Sequence, residues 1–269
     1  MIVSVSRRTD IPAFYFDWFL QKLKQGFVEV PNPFNPKKVS VVSLAPSQVE
    51  AFVFWTKDPS SLAIPQPLLD PYPWIALITL TPYPKEWEKA FAHKTHILKQ
   101  FQLLSHRVGK NRIVWRYDPI ILTEDVSFHW HRQAFSQLAR ELSGYTDRCM
   151  VSFVTSYRKN RKFLESLHWK DPPPPEKIAF IEELRSLAKV QGIEVRTCAD
   201  PHSPWPGACI DGERIERITG KNLNLVKDPY QREACLCRKS VDIGQYHTCK
   251  GGCLYCYAGS RTDSSYRYP

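Results

Sequence analysis

Short apolar runs alternate with longer amphipathic stretches along most of this chain, and few architectures accommodate such an alternation. Residues 2–6, 51–55, 74–80, 112–117, 149–154 and 193–197 read as strands rich in Val, Ile and aromatics. Between them, 12–26, 86–106, 125–142 and 176–191 carry apolar residues at helical spacing. Phe16, Phe19, Leu20 and Leu23 mark the first of these helices, and Gly26 ends it. A further strand is expected at 39–44, after the turn-rich Asn32-Pro33-Phe34-Asn35-Pro36. The pattern predicts an α/β fold built on a parallel sheet. At 269 residues and 43% hydrophobic content, one sizeable domain is expected.

Parallel strands deliver their C-terminal ends to a common crevice, so the residues that follow each strand are candidate ligand groups. Here they are Arg7, Arg8, Thr9 and Asp10, then Thr56, Lys57 and Asp58, and then Arg116 and Asp118. Two adjacent arginines exceed what a helix cap needs, although Thr9 or Asp10 would serve as an N-cap. Arg116 and Asp118 share one side of an extended backbone and suit either a ligand or a salt bridge. His129 and His131 lack accompanying ligands and are read as surface or packing residues. Cys149, at a strand's start, reads as a buried hydrophobe.

The texture changes at about residue 199, giving two regions: a β/α portion over 1–198 and a cysteine-rich tail over 199–269. Within the tail, Cys249, Cys253 and Cys256 form a C-x3-C-x2-C loop containing Gly251 and Gly252. Three soft thiolates in so short a loop can converge on one centre, either an iron–sulfur cluster with one open iron or zinc. Structural zinc prefers four closed ligands, commonly in C-x2-C knuckles, which this spacing does not reproduce. Cys198, Cys209, Cys235 and Cys237 remain. Their count would close a second centre, either a [4Fe–4S] cluster or tetrahedral zinc.

The C-x3-C-x2-C loop, with an aromatic before its last cysteine, resembles the cluster loop of radical S-adenosylmethionine enzymes. Gln245-Tyr246-His247-Thr248-Cys249 and Cys256-Tyr257-Ala258 are closest to the spore photoproduct lyase-like branch. Ser6-Arg7-Arg8-Thr9-Asp10-Ile11-Pro12, Asn32-Pro33-Phe34-Asn35, Phe54-Trp55-Thr56-Lys57 and Trp115-Arg116-Tyr117-Asp118-Pro119 resemble a bacterial family of uncharacterised proteins, over essentially the full length. The resemblance implies a partial parallel (β/α)6 TIM-like barrel with the cysteine-rich tail as a lid over its mouth. It also implies a [4Fe–4S] cluster at Cys249, Cys253 and Cys256, whose open iron chelates S-adenosylmethionine. A one-electron reductant would then drive cleavage to a 5′-deoxyadenosyl radical. Arg7, Arg8, Lys57 and Arg116 are candidates for a carboxylate or anionic substrate. Asp10 and Asp118 would take ribose hydroxyls or the cofactor's amino group, while Trp55 and Tyr117 would stack on a base. Two departures stand out. Radical S-adenosylmethionine enzymes carry this loop near the N-terminus, and Thr56-Lys57-Asp58 stands where a Gly-Gly-Glu-type segment is expected.

The formal net charge of +10 favours a nucleic-acid or nucleotide substrate, or a phosphorylated one. A competing reading is a non-catalytic nucleic-acid-binding protein whose cysteines only staple the fold; a third is an electron-transfer protein. The absence of a long apolar run or a signal-like start, together with eight cysteines, is what a cytoplasmic metal or redox protein would show.

Overall fold

The computed structural model describes residues 1–259, so the final stretch of the expected tail, 260–269, lies outside the described residues. Strand β1 (Ile2–Val5) leads into helices α1 (Ile11–Phe14) and α2 (Phe16–Gln25). Strands β2 (Phe27–Pro31) and β3 (Val39–Ser43) pair only with each other, as an antiparallel hairpin. The chain then alternates β4 (Ala51–Thr56), α3 (Ser60–Ala63), β5 (Trp74–Thr79), α4 (Lys94–Val108), β6 (Ile113–Ile120), α5 (Phe128–Glu141) and β7 (Arg148–Phe153). After α6 (Arg161–Ser166), α7 (Pro174–Lys189) and β8 (Glu194–Cys198), the tail contributes β9 (Pro206–Gly207), α8 (Gly212–Thr219) and β10 (Ser240–Asp242).

The six expected strands are β1, β4, β5, β6, β7 and β8, and they lie side by side in chain order. The tail adds one strand at each edge, giving an eight-stranded sheet in the order β10-β1-β4-β5-β6-β7-β8-β9. Every pairing in it is parallel. The protein is thus a mixed α/β fold around a large, curled, half-barrel sheet.

Both faces of that sheet are buried, which is why its strands read as nearly continuous apolar runs. On the outer face, Val3, Phe52, Phe54, Ile78, Trp115 and Val151 pack against helix residues such as Phe19, Phe101, Phe135 and Leu184. On the inner face, Ile2, Ala51, Val53, Ile75, Leu77, Val114 and Met150 pack against Cys209, Ile210, Ile215, Cys235 and Cys237 of the tail. The tail was expected to cover the mouth as a lid. It also fills the inner face and extends the sheet, because its few apolar residues are spent there. Arg214 of α8 fastens it further, 2.6 Å from both Asp147 Oδ1 and the Asn111 carbonyl.

Other boundaries moved for local reasons. The helix expected over 12–26 is interrupted at Tyr15, whose hydroxyl donates to the Thr248 carbonyl at 2.5 Å. The strand expected near residue 39 forms, but with β2 as its partner rather than in the large sheet. The helix expected over 86–106 begins only at Lys94. Residues before it make a short 3-10 turn, Lys85–Trp87, and then a strap against the C-terminal cysteine loop. Among the described residues, no helix is long and apolar enough to cross a membrane.

Candidate functional site

The C-terminal ends of the central strands open into a cavity of about 490 Å3. Arg7, Arg8 and Asp10 reach it from the end of β1, Lys57 from β4, and Arg116 and Asp118 from β6. All seven candidate metal cysteines named from the sequence, Cys198 at the end of β8 and six in the tail, line it as well. Cys149 is excluded, being fully buried in the outer core as expected. Tyr117 is also excluded. Strand alternation turns it to the outer face, where its hydroxyl lies 2.7 Å from His131 Nδ1. His131 is buried and packed there, while His129 is exposed.

The strand-end groups are mostly already engaged. Arg7 lies between Asp242 (3.7 Å) and Asp228 (3.9 Å), its backbone N–H donates to Asp242 at 2.8 Å, and its guanidinium sits 5.9 Å from the Trp55 ring. Asp242 also accepts from Ser4 Oγ at 2.8 Å, Ser6 Oγ at 2.5 Å and the Gly244 N–H at 3.0 Å. The sequence reading missed this residue, since its partners lie more than 230 positions away. Gly244 must be glycine: a Cβ there would fall 1.9 Å from Ser6 Oγ. Asp10 caps α1 by accepting from the Ala13 N–H at 3.0 Å, and also accepts the Lys57 N–H at 2.8 Å. Burial pushes its carboxyl up to about 6. Arg8 donates to the Gly244 carbonyl at 3.3 Å and sits 5.2 Å from the Tyr246 ring.

Arg116 pairs with Asp118, which also accepts from Ser152 Oγ, so the salt-bridge reading of that pair holds. Its guanidinium covers Trp55 at 5.0 Å, and Trp55 Nε1 is bound to Ser4 Oγ at 3.1 Å. Arg116 Nε remains buried without a partner, and so does Thr9 Oγ1. Both residues line the cavity.

Glu88 is the main site-forming residue that sequence reasoning missed. Its carboxylate is buried, bonded to Lys57 Nζ at 2.7 Å and Thr81 Oγ1 at 3.1 Å, and also to Lys94 and Tyr255. Burial opposes ionisation there, but the two ammonium groups outweigh it and hold the carboxyl down at about 2. Glu88 also pairs as an antiparallel bridge with Cys253. The Leu254 N–H donates to the Trp87 carbonyl at 3.0 Å, and the Ala90 N–H to the Gly251 carbonyl at 3.3 Å. Gly251 allows this close approach, since a Cβ there would lie 2.6 Å from Phe91. On the other side, Asn160 Nδ2 donates to the Tyr255 carbonyl at 3.1 Å and Lys159 Nζ to that of Ala258 at 3.2 Å.

The two cysteine groups differ in arrangement. In the loop, Cys249 accepts from the N–H groups of Gly251 (3.4 Å) and Asp10, and Cys256 from those of Ala258 and Gly259. Such donors favour a charged sulfur, and the Lys57 ammonium lies near Cys253. Burial outweighs them in the free thiols, pushing Cys249 up to about 11 and Cys253 and Cys256 upward too. Cys253 also feels the charge of both Cys249 and Cys256. The other four gather in one buried cluster. Cys198 and Cys209 are 3.5 Å apart at sulfur, Cys237 accepts the Ile210 N–H at 3.4 Å, and Cys235 packs with them. Among the described residues, no three His, Cys, Asp or Glu side chains already enclose a metal position.

No curated protein and no solved structure matches the chain. Residues 2–258 match a family described as a domain of unknown function, DUF1848, so nearly the whole chain is accounted for and the protein belongs to that family.

Proposed function

We propose that this protein is an iron–sulfur enzyme of the radical S-adenosylmethionine kind, with Cys249, Cys253 and Cys256 as the ligands of a [4Fe–4S] cluster. The observation that carries this reading is one cavity lined by both the three-thiol loop and the strand-end cations. The donor set fits the cluster: three soft thiolates, backbone N–H groups aimed at two of them, and a lysine near the third. A site-differentiated cluster supplies one-electron reduction of a bound sulfonium. This chain's own residues do the rest. Arg116, through its free Nε, holds the carboxylate of S-adenosylmethionine, and the Thr9 hydroxyl takes a second polar group of the same ligand. Glu88 anchors Lys57 beside Cys253 and so keeps the loop seated. Trp55, sandwiched by Arg7 and Arg116, is a wall of the cavity, and the tail residues behind it exclude water.

The test is anaerobic purification, iron and sulfide analysis, and an assay for 5′-deoxyadenosine from S-adenosylmethionine with a one-electron reductant. Iron and sulfide in equal amounts, with 5′-deoxyadenosine formed by the wild type and not by Cys253→Ala, are the expected results. No sulfide after anaerobic reconstitution would overturn the reading.

A second reading, a non-catalytic nucleic-acid-binding protein, is favoured by the cavity rim. Tyr246 lies 5.2 Å from the Arg8 guanidinium and 5.1 Å from Lys159 Nζ, and the Tyr157 and Tyr257 rings are 5.9 Å apart. Exposed aromatics interleaved with cations suit unpaired bases. Tight, strongly salt-dependent binding of single-stranded DNA or RNA without cofactor cleavage would support it.

A further inference from the structure

The sequence alone leaves the second cysteine group open between an iron–sulfur cluster and zinc; the sulfur positions separate the two. We infer that Cys198, Cys209, Cys235 and Cys237 form a closed site for a single tetrahedral thiophilic ion, zinc or one iron without sulfide, which fixes the tail onto the inner face of the sheet.

The first support is spacing. A metal–sulfur bond of about 2.3 Å in a tetrahedron places neighbouring sulfurs about 3.8 Å apart. Cys198 and Cys209 already stand at 3.5 Å, and Cys235 and Cys237 are buried in the same cluster. In a cubane each iron carries one thiolate pointing outward, which spreads the four sulfurs well beyond contact. The 3.5 Å contact between Cys198 and Cys209 is therefore one that a single ion allows and a cubane does not. Closing the site requires the side chains of Cys235 and Cys237 to turn in toward the Cys198–Cys209 pair, since no three of these groups yet enclose a metal position among the described residues.

The second support is the framework that delivers the thiols. The Ile210 N–H donates to the Cys237 sulfur at 3.4 Å, and the Arg238 N–H to the Ile210 carbonyl at 3.0 Å. The Asp228 N–H donates to the Cys237 carbonyl at 2.9 Å, and the Cys235 N–H to that of Arg232 at 2.8 Å. Three of the four ligands are therefore set by backbone bonds among the tail's own segments, while Cys198 ties them to the end of β8. The third support is charge. A divalent ion with four thiolates carries two net negative charges, and the guanidiniums of Arg7, Arg116 and Arg232 lie close enough to act on these sulfurs. Four ligands leave no open coordination position, so the site is structural.

This inference is independent of the cluster proposed at the loop, and the experiment reads the two apart. The full chain is purified anaerobically, and zinc, iron and sulfide are measured in wild type, Cys237→Ser, Cys235→Ser and Cys253→Ala. The expected result is about one zinc or one sulfide-free iron per chain, retained in Cys253→Ala and lost in both serine variants. Zinc and iron are told apart by the elemental analysis itself. Cobalt-substituted wild type, which needs no variant to fold, should show the intense visible bands of a tetrahedral thiolate site. Sulfide-bearing iron that disappears with Cys237 or Cys235, or a wild type with no cobalt thiolate bands, would overturn the inference. Loss of loop iron alone would leave it standing and count only against the enzymatic reading.

Discussion

The two cysteine groups face the same cavity but are built in opposite ways. Cys249, Cys253 and Cys256 come from one short loop and are held by a strap from the opposite side of the cavity, Trp87–Leu254 and Ala90–Gly251, with Glu88 beneath. Cys198, Cys209 and the Cys235/Cys237 pair come from three separate segments and meet in one buried cluster, with Cys198 and Cys209 3.5 Å apart at sulfur. The neighbouring thiols of Cys209 and Cys235 hold Cys237 below the usual thiol range and are themselves raised, whereas in the loop burial pushes all three thiols up. The difference teaches that a loop can present ligands to a large centre while keeping them apart, whereas ligands gathered by the fold can meet around one ion.

The sharpest way to break this comparison is Cys253→Ala. It should remove about four irons with their sulfide and all 5′-deoxyadenosine formation, with the four-thiol metal unchanged by elemental analysis. Loss of both metals together would mean that the groups are not independent. Next in size is Glu88→Ala, which strands Lys57 and Lys94 around an empty carboxylate position. A loss of about 3–5 kcal/mol in denaturant unfolding is expected, as for other broken buried pairs. Its metal signature should be loss of loop iron with retention of the four-thiol ion.

Acid weakens the sheet beneath both groups, and this must be separated from effects on either one. His131 is fully buried against Tyr117 and the Ile121 carbonyl, and burial lowers it from 6.5 to about 4. The unfolded chain therefore binds the proton more readily, so stability is complete above about pH 6.5 and falls as pH drops toward 4. The loss is expected to reach about 3 kcal/mol. Unfolding of wild type and His131→Gln across that window checks this, because the variant should show a flatter profile. Glu88→Ala is therefore compared above pH 6.5. The smallest effect expected is from Gly251→Ala, where the new methyl meets Phe91 at 2.6 Å. A destabilisation of about 1–3 kcal/mol, with partial iron loss and no loss of the four-thiol ion, would sharpen the assignment of the strap to the loop alone.

Residue patterns close together in sequence were the legible part. The six central strands, the polar groups at their C-terminal ends and the three-thiol spacing are local, because side-chain alternation and ligand spacing act over a few residues. Arg7, Arg8, Asp10, Lys57, Arg116 and Asp118 accordingly all reach the cavity. Tyr117 was misplaced for an equally local reason: alternation along β6 sends it to the face opposite Arg116 and Asp118. Glu88 and Asp242 were not legible. Glu88 sits in a segment whose apolar spacing continues the pattern of α4, and its Tyr255 contact spans 167 positions. Asp242 became visible only when β10 paired with β1.

By itself, then, the sequence determined the parallel α/β plan, the ends of the strands that carry polar groups, and a compact triplet of thiols, since each depends on neighbours in the chain. Only the tertiary structure decided that the tail fills the inner face, that four dispersed cysteines become neighbours, and that a glutamate thought to lie on a helix secures the loop. Those outcomes depend on which distant segments compete for the same buried surface and charge, and that competition is resolved only when the whole chain has packed.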